Sequence, residues 1–567
     1  MELPSKCVNL SEAERFRKHL ENMCREKLIP ISAIEKVQRF CYIGNLENPV
    51  YNSNTFYCFD LSVEQHFERL GQICGEVSGT DLVDCLKGVL RDQDDNGPRH
   101  DEALLVLAVY LSTSSDEEQR KLVRSHFTTL VVTDKDLLIF TKLAKRLQKL
   151  LKRKTPVSRT TRKAIVEWYK KQSLQYLLHM WSVNEGGGFN WSAHRELLHC
   201  CHYRDCGFEP DIEAALRLLS TPMKELAKWP IYLNPVQQCK ETIMGIVNLR
   251  LDQTPNKSKA LPIVEKLNLS YEHIPGHLLR TNQELATFVL PKMTYDQLLH
   301  SWPVFSSLYQ CDRTKYREYV ESFLNEQKLQ AANISPLRFL LEEKRLGRVK
   351  GKPTTKTPIM NKPNFMSILY KKSFGLNKPL GLRINITLNL EQLYLRKSLS
   401  GRCRSIKYID AIMALAFGYF KSDSDVHVQF WHNKNGNLKA LPWTKKMSVD
   451  EAKVCCENQS VVKVKQTLGN IVMAALSDTE NTYDVFLAIV PCATRGNPRN
   501  SSEVLSLQLA EYRKKHNVNA KFIILSLRQC QPSMTYSSRW KENILELCSI
   551  NEQTTRLIGA FTRGKFN

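Results

Sequence analysis

From about Ser11 to Leu346, apolar side chains recur three and four positions apart, in blocks of ten to eighteen residues separated by short polar breaks. This spacing lines one face of an α-helix, so the first half of the chain reads as all helix. In TDKDLLIFTKLAKRLQKLL, Thr133 and Asp136 form a capping pair, and Leu137, Phe140, Leu143, Leu147 and Leu150 share one face. Pro291 and Pro336 stand where new helices begin, a position that tolerates proline. Helix pairs in such a series stack as a solenoid, although no strict sequence period is present.

Beyond this half, residues 344–372 hold nine basic side chains, no acidic ones and three prolines, which reads as a basic linker or arm. The pattern then changes to short β-rich runs alternating with amphipathic segments. Strands are expected at 382–390, 426–431, 484–490 and 521–527, and helices at 403–420, 462–476, 503–515 and 539–548. Alternating strand and helix implies a parallel, doubly wound sheet covered on both faces. The fold class is therefore α plus α/β, multidomain, with boundaries at 1–21 (extension), 22–346 (helical module), 347–374 (linker) and 375–567 (α/β domain).

Charge narrows the range of partners. Lys and Arg number 81 against 58 Asp and Glu, a net +23, which favours nucleic acid first and an anionic membrane surface second. The longest apolar runs, ALLVLAVYL at 103–111 and VFLAIV at 485–490, fall well short of the roughly 18 residues that span a bilayer. Seventeen irregularly spaced cysteines and a charged N-terminal stretch point to a reducing compartment, the cytoplasm.

The charge is concentrated. Between Thr141 and Gln172 there are twelve Lys or Arg and one acidic residue, Glu167. Helical spacing turns Lys142, Lys145, Arg146 and Lys149 to solvent, and Arg159, Arg162 and Lys163 open the next helix. Such a face suits phosphates; the alternative is a solvated charged helix. Trp168, Tyr169, Trp181, Phe189 and Trp191 are interleaved with these charges and suit either base stacking or the core, with Trp168 assigned to the core.

The stretch RELLHCCHYRDC (195–206) invites a zinc assignment, but the second ligand pair that a tetrahedral site needs does not follow. On a helix, Leu197, Leu198 and Cys201 share the buried stripe. No phosphate-cradling loop, HExxH or GxSxG motif is present, and GGG at 186–188 lacks a dinucleotide-site context, so an enzyme is not expected.

RKAIVEWY at 162–169, followed by NWSAHRELLHCCH, resembles the signature of the TROVE module of the Ro autoantigen family. RFCYIG (39–44), EALLVLAVYL (102–111), LSYEHIPGHLL (269–279), MTYDQLLHSW (293–302) and ISPLRFLL (334–341) follow that family's pattern in order, and AEYRKKHNVNAKFIIL (510–525) is similar to its von Willebrand factor A domain. The resemblance implies a ring of HEAT-like helical repeats followed by the A domain, in a monomeric, non-enzymatic, cytoplasmic and also nuclear protein. It also implies a ribonucleoprotein function in noncoding RNA stability and quality control, with Y-type RNA on the outer basic surface, single-stranded RNA ends in the central hole, and an exonuclease or other ribonucleoprotein components as partners.

Two departures qualify what the resemblance implies. Metal-binding A domains carry D-x-S-x-S after the first strand, a threonine on a later loop and an aspartate after a central strand, all hard oxygen ligands. Here Asn389, Glu391 and Leu393 stand at the first motif, Thr467 matches the threonine, and Pro491 replaces the second aspartate. The expectation is a degenerate site with no cofactor, and Asn389 and Glu391 at a solvated strand end. In the RNA site, His202 corresponds to the family's histidine. Its two basic companions fall on Val183 and Gly187, or on Asn184 and Gly188. Two functions follow: an RNA-binding ribonucleoprotein component, or a non-enzymatic protein scaffold that has lost Y RNA recognition.

Overall fold

The structure, a computed structural model, describes residues 30–52, 59–90, 100–183, 191–221, 240–251, 257–308, 313–332, 334–346, 362–478, 480–493, 498–529, 531–532, 534, 536 and 543–566. The chain divides into two compact units. One comprises 57–92 and 100–334; the other comprises 1–56, 93–99 and 335–567.

In the second of these units the chain enters through α1 (Ala33–Ile43), whose start is fixed by a reciprocal capping box between Ser32 and Glu35. It then forms a short strand, β1 (Val50–Asn52). Among the described residues, seven strands make one sheet: β1, β2 (Ile384–Leu388), β3 (Val426–Trp431), β4 (Leu438–Ala440), β5 (Val485–Val490), β6 (Lys521–Ser526) and β7 (Ile544–Cys548), in the order β1-β7-β6-β5-β2-β3-β4. All neighbours are parallel except β3 and β4. Strands β2, β5, β6 and β7 are buried along their whole length, as strands covered on both faces are. Strand order reverses between β2 and β5. In an open parallel sheet, the loops at the carboxyl ends of such a pair form its crevice.

Several expectations are corrected here. ILELC, within the helix expected at 539–548, is strand β7; its five residues are all buried between β6 and β1, and the pairing on both sides overrides the helical reading. Helix 462–476 starts later, at Gly469, because residues 461–468 form a loop over the sheet's carboxyl edge. Residues 30–52 and 335–346, read as part of the helical module, group with the α/β unit, the first through the pairing of β1 with β7. Lys362–Ser373, at the end of the expected linker, is helical and packs on Pro336–Leu346.

The other unit is helical. Its elements include α2 (Phe59–Gly75), α3 (His100–Thr113), α4 (Glu117–Ser125), α5 (Asp134–Leu150), α6 (Arg159–Lys170), α7 (Leu174–Val183) and α8 (Trp191–Cys200). Helix α3 is buried from Glu102 to Ser112, so the most apolar run of the chain forms a central helix against α2 and α5. The Thr133–Asp136 capping box forms as expected, and Leu137, Phe140, Leu143 and Leu147 are buried on α5. No described helix is long and apolar enough to cross a membrane.

Strand β1 is short, but Tyr51 is fully buried and its hydroxyl accepts from Asn551 Nδ2 at 2.6 Å. Replacing Tyr51 by Ala is expected to lower stability by about 3–5 kcal/mol, as for other large buried aromatics. Tyr51→Phe, which removes only the hydrogen bond, should lower it by about 1 kcal/mol. Urea denaturation midpoints of the two variants check this ordering.

Candidate nucleic-acid interface

Helix α6 is two-sided. Thr161, Ala164, Ile165, Trp168 and Tyr169 are buried, and the Trp168 indole donates to the Val131 carbonyl at 2.6 Å. With that face fixed inward, Arg159, Arg162 and Lys163 are turned outward on the first turns, where Ser158 caps the helix and its N-terminal dipole adds positive potential. Lys121 and Arg124 of α4 and Lys171, just past α6, face the same space. Together with Thr128, Glu167, Cys201 and Cys206 they line a groove of about 640 Å³.

The groove's charges are only partly neutralised inside the protein. Lys121 pairs with Glu118, and Lys171 donates to the Thr128 hydroxyl. Among the described residues, no ion pair engages Arg124, Arg159, Arg162 or Lys163, and Arg162 Nε is shielded from solvent without an acceptor. A shielded donor without a partner costs about 1–3 kcal/mol. The arrangement suits a run of phosphates.

Of the residues proposed from sequence, the structure brings Arg162 and Lys163 into this groove. Lys142 and Lys149 are exposed on α5. Lys145 and Arg146, expected toward solvent, are half-buried; they pair with Glu196 and Glu64, which reduces the charge they present. Lys121, Arg124 and Lys171 were missed. For the first two the signal lay in EEQRKLVRS, where Lys121 and Arg124 fall on one helical face.

His202 is exposed and adopts a left-handed conformation (φ 51°) that ends α8. It lies between the groove-lining residues Cys201 and Cys206, and its carbonyl accepts from the Cys206 thiol at 3.3 Å. Cys201 is buried with Leu197 and Leu198, and burial pushes its thiol up to about 12. Cys200 and Cys206 are half-exposed rather than core residues. Trp168, Tyr169 and Trp181 are buried, which removes them as stacking platforms. Phe189, Asn184, Gly187, Gly188 and the Trp191 side chain lie outside the described residues; Val183 closes α7.

Beneath α8, the Tyr169 hydroxyl lies 2.8 Å from His194 Nδ1, and His194 Nε2 lies 3.9 Å from Asp134. Burial acts to raise the Asp134 carboxyl, but the neighbouring His194 imidazole and backbone N–H donors hold it below the usual carboxylate range.

At the sheet's carboxyl edge, Asn389 and Glu391 are both buried, so this strand end is not solvated as expected. Asn389, Glu391, Thr467 and Pro491 offer one carboxylate, an amide and a hydroxyl, and Leu393 is exposed and apolar. The amide is committed: Asn389 Nδ2 donates to Gln466 Oε1 at 2.9 Å. This donor set does not fit a hard divalent cation, which takes six to eight oxygens, several of them anionic. Among the described residues, no three His, Cys, Asp or Glu side chains converge as a metal site.

Comparison with known proteins agrees with this architecture. Residues 383–562 match the family model described as the Ro60 vWA domain. The solved structure of the Ro (RSR) protein of Deinococcus radiodurans superposes with a TM-score of 0.68 and 16% identity, covering 94% of this chain and 100% of that one. No curated protein sequence matches. The class is a helical module with a von Willebrand A domain of the Ro60 type. The chain has the fold of that Ro structure, and its residues 383–562 are similar to the Ro60 A domain.

A group whose folded pKa is depressed stabilises above its unfolded pKa, near 3.9 for Asp, and that contribution is lost as pH falls through the folded value. Asp134→Asn should therefore flatten the acid side of the stability profile, below about pH 4. Urea midpoints measured against pH for both proteins test this; parallel curves would remove the pair from the account.

Proposed function

We propose that the protein is an RNA-binding component of a ribonucleoprotein, holding small noncoding RNA, Y-type or misfolded, in RNA stability and quality control. The observation that carries this reading is the groove between α4 and α6, where Arg124, Arg159, Arg162 and Lys163 have no carboxylate partner among the described residues. The Ro fold and the Ro60-type A domain support it. The mechanism is binding without bond cleavage. Guanidinium and ammonium groups contact phosphates and release counterions, while burial of Trp168, Tyr169 and Trp181 leaves backbone contacts, not base stacking, as the main source of affinity at this face. His202, exposed at the groove's flank, supplies a polar contact. In either placement, Val183 and Gly187 or Asn184 and Gly188, the family's two basic positions hold non-basic residues, so a Y-type RNA would be held by this groove and not in the family's manner. Exonucleases and other ribonucleoprotein components are the expected protein partners, and the cytoplasm and nucleus the expected compartments.

Neutralising Arg159, Arg162 and Lys163 to Gln together should reduce the slope of log affinity against log salt by about 2–3, since each lost phosphate contact removes about 0.7–0.9. Affinity for a structured small RNA should fall about 10- to 100-fold in filter binding. The double variant Lys142→Gln/Lys149→Gln should lose less; a larger loss there would move the site to α5. Absence of any RNA retention at low salt would instead favour a protein-interaction scaffold.

His202→Ser should weaken binding about fivefold, the loss of one ordinary hydrogen bond. Unchanged affinity in a gel-shift titration would remove His202 from the interface.

A further inference from the structure

The strand-order reversal between β2 and β5 leaves three loops converging over the sheet's carboxyl edge: residues 389–391 after β2, residues 461–468 before the helix Gly469–Ser477, and residues 491–493 after β5. In metal-binding A domains, the ligands named above come from these same three places, so a cation there cross-links the loops. Here one side chain connects all three. Gln466 Nε2 donates to the carbonyls of Cys492 at 2.7 Å and Ala493 at 3.2 Å, and Gln466 Oε1 accepts from Asn389 Nδ2 at 2.9 Å. Asn389 Oδ1 in turn accepts the Glu391 N–H at 3.0 Å.

The orientation of both amides is determined by their partners. Two carbonyls can receive only an NH2 group, so Gln466 Oε1 must face Asn389. Asn389 then presents its own NH2 inward and has its oxygen left for the backbone N–H of Glu391. Both amide oxygens therefore have donors, and an N–H dipole, not an anionic oxygen, points from the position of the first aspartate. Asn389 is fully buried, where such a chain of hydrogen bonds is strong and a missing member costly. The loops are also stitched by backbone: Gln392 N donates to Val461 O at 2.8 Å, and Val461 N to Leu390 O at 3.1 Å.

We propose that the Asn389–Gln466 amide bridge replaces the divalent cation of metal-binding A domains, making the apex of this domain a permanently cross-linked, cation-independent structure. Its loops therefore do not respond to Mg2+, Mn2+ or Ca2+.

The test uses the full chain. Thermal melting in EDTA and in millimolar Mg2+, Mn2+ or Ca2+ should give one melting temperature, and Mn2+ titrated by electron paramagnetic resonance should show no bound ion that depends on Glu391. A cation-induced rise in melting temperature, or a bound Mn2+, that disappears in Glu391→Gln overturns the proposal. A response that survives Glu391→Gln lies elsewhere and leaves the apex cation-free. Gln466→Ala, which cuts the bridge, should lower the melting temperature by about 2–4 °C, with the same loss in EDTA and in Mn2+. An unchanged melting temperature in that variant also overturns it, since the bridge would then hold nothing together. Should Gln466→Ala fail to fold, the Mn2+ measurement on the natural chain still decides.

Discussion

The burial of Trp168 is the contact on which the interface depends. Its indole is enclosed and its N–H is held by the Val131 carbonyl, so α6 has one permitted rotation about its axis. That rotation sends Arg159, Arg162 and Lys163 outward together, opposite Lys121 and Arg124 of α4. Side chains of like charge repel across such a space, and dispersing them would be electrostatically easier. The apolar face underneath, Ala164, Ile165, Trp168 and Tyr169, is large enough to hold the charged face in place against that repulsion. In the proposed function, phosphate relieves that repulsion, which couples the packing of the core to the affinity of the groove.

The α/β unit meets the opposite problem, an excess of buried polarity at the edge of an apolar sheet. Four strands are enclosed on both faces and end on loops that carry amides and a carboxylate. Asn389 is buried there because Gln466 reaches across to accept from its amide, and Asn389 in turn accepts the Glu391 N–H. The two units thus treat polarity differently: one leaves cations without partners at its surface, and the other closes a network of neutral groups on itself.

Much of this architecture was legible from the spacing of apolar residues. The capping box at Thr133, the buried face of α5 and the strands at 426–431 and 521–526 all follow from local pattern. Misreadings arose where partners distant in sequence decide the outcome. ILELC is a strand because β6 and β1 flank it, and neither neighbour is visible in a local window. Lys145 and Arg146 lie on a basic face by helical spacing, yet each meets a glutamate from a remote segment, Glu196 and Glu64. Gln466 was invisible for the same reason: a glutamine beside a motif threonine carries no signal until three loops are brought around it.

The pairing of Val50 with Glu546 also has a consequence for synthesis. Strand β1 leaves the ribosome about 500 residues before β7, the strand it joins. At about 5–20 residues per second the wait is on the order of 25–100 s, during which the helical unit between them has time to fold. Strand β1 therefore waits without its partner until β7 has emerged, and its unpaired edge stays open for that time.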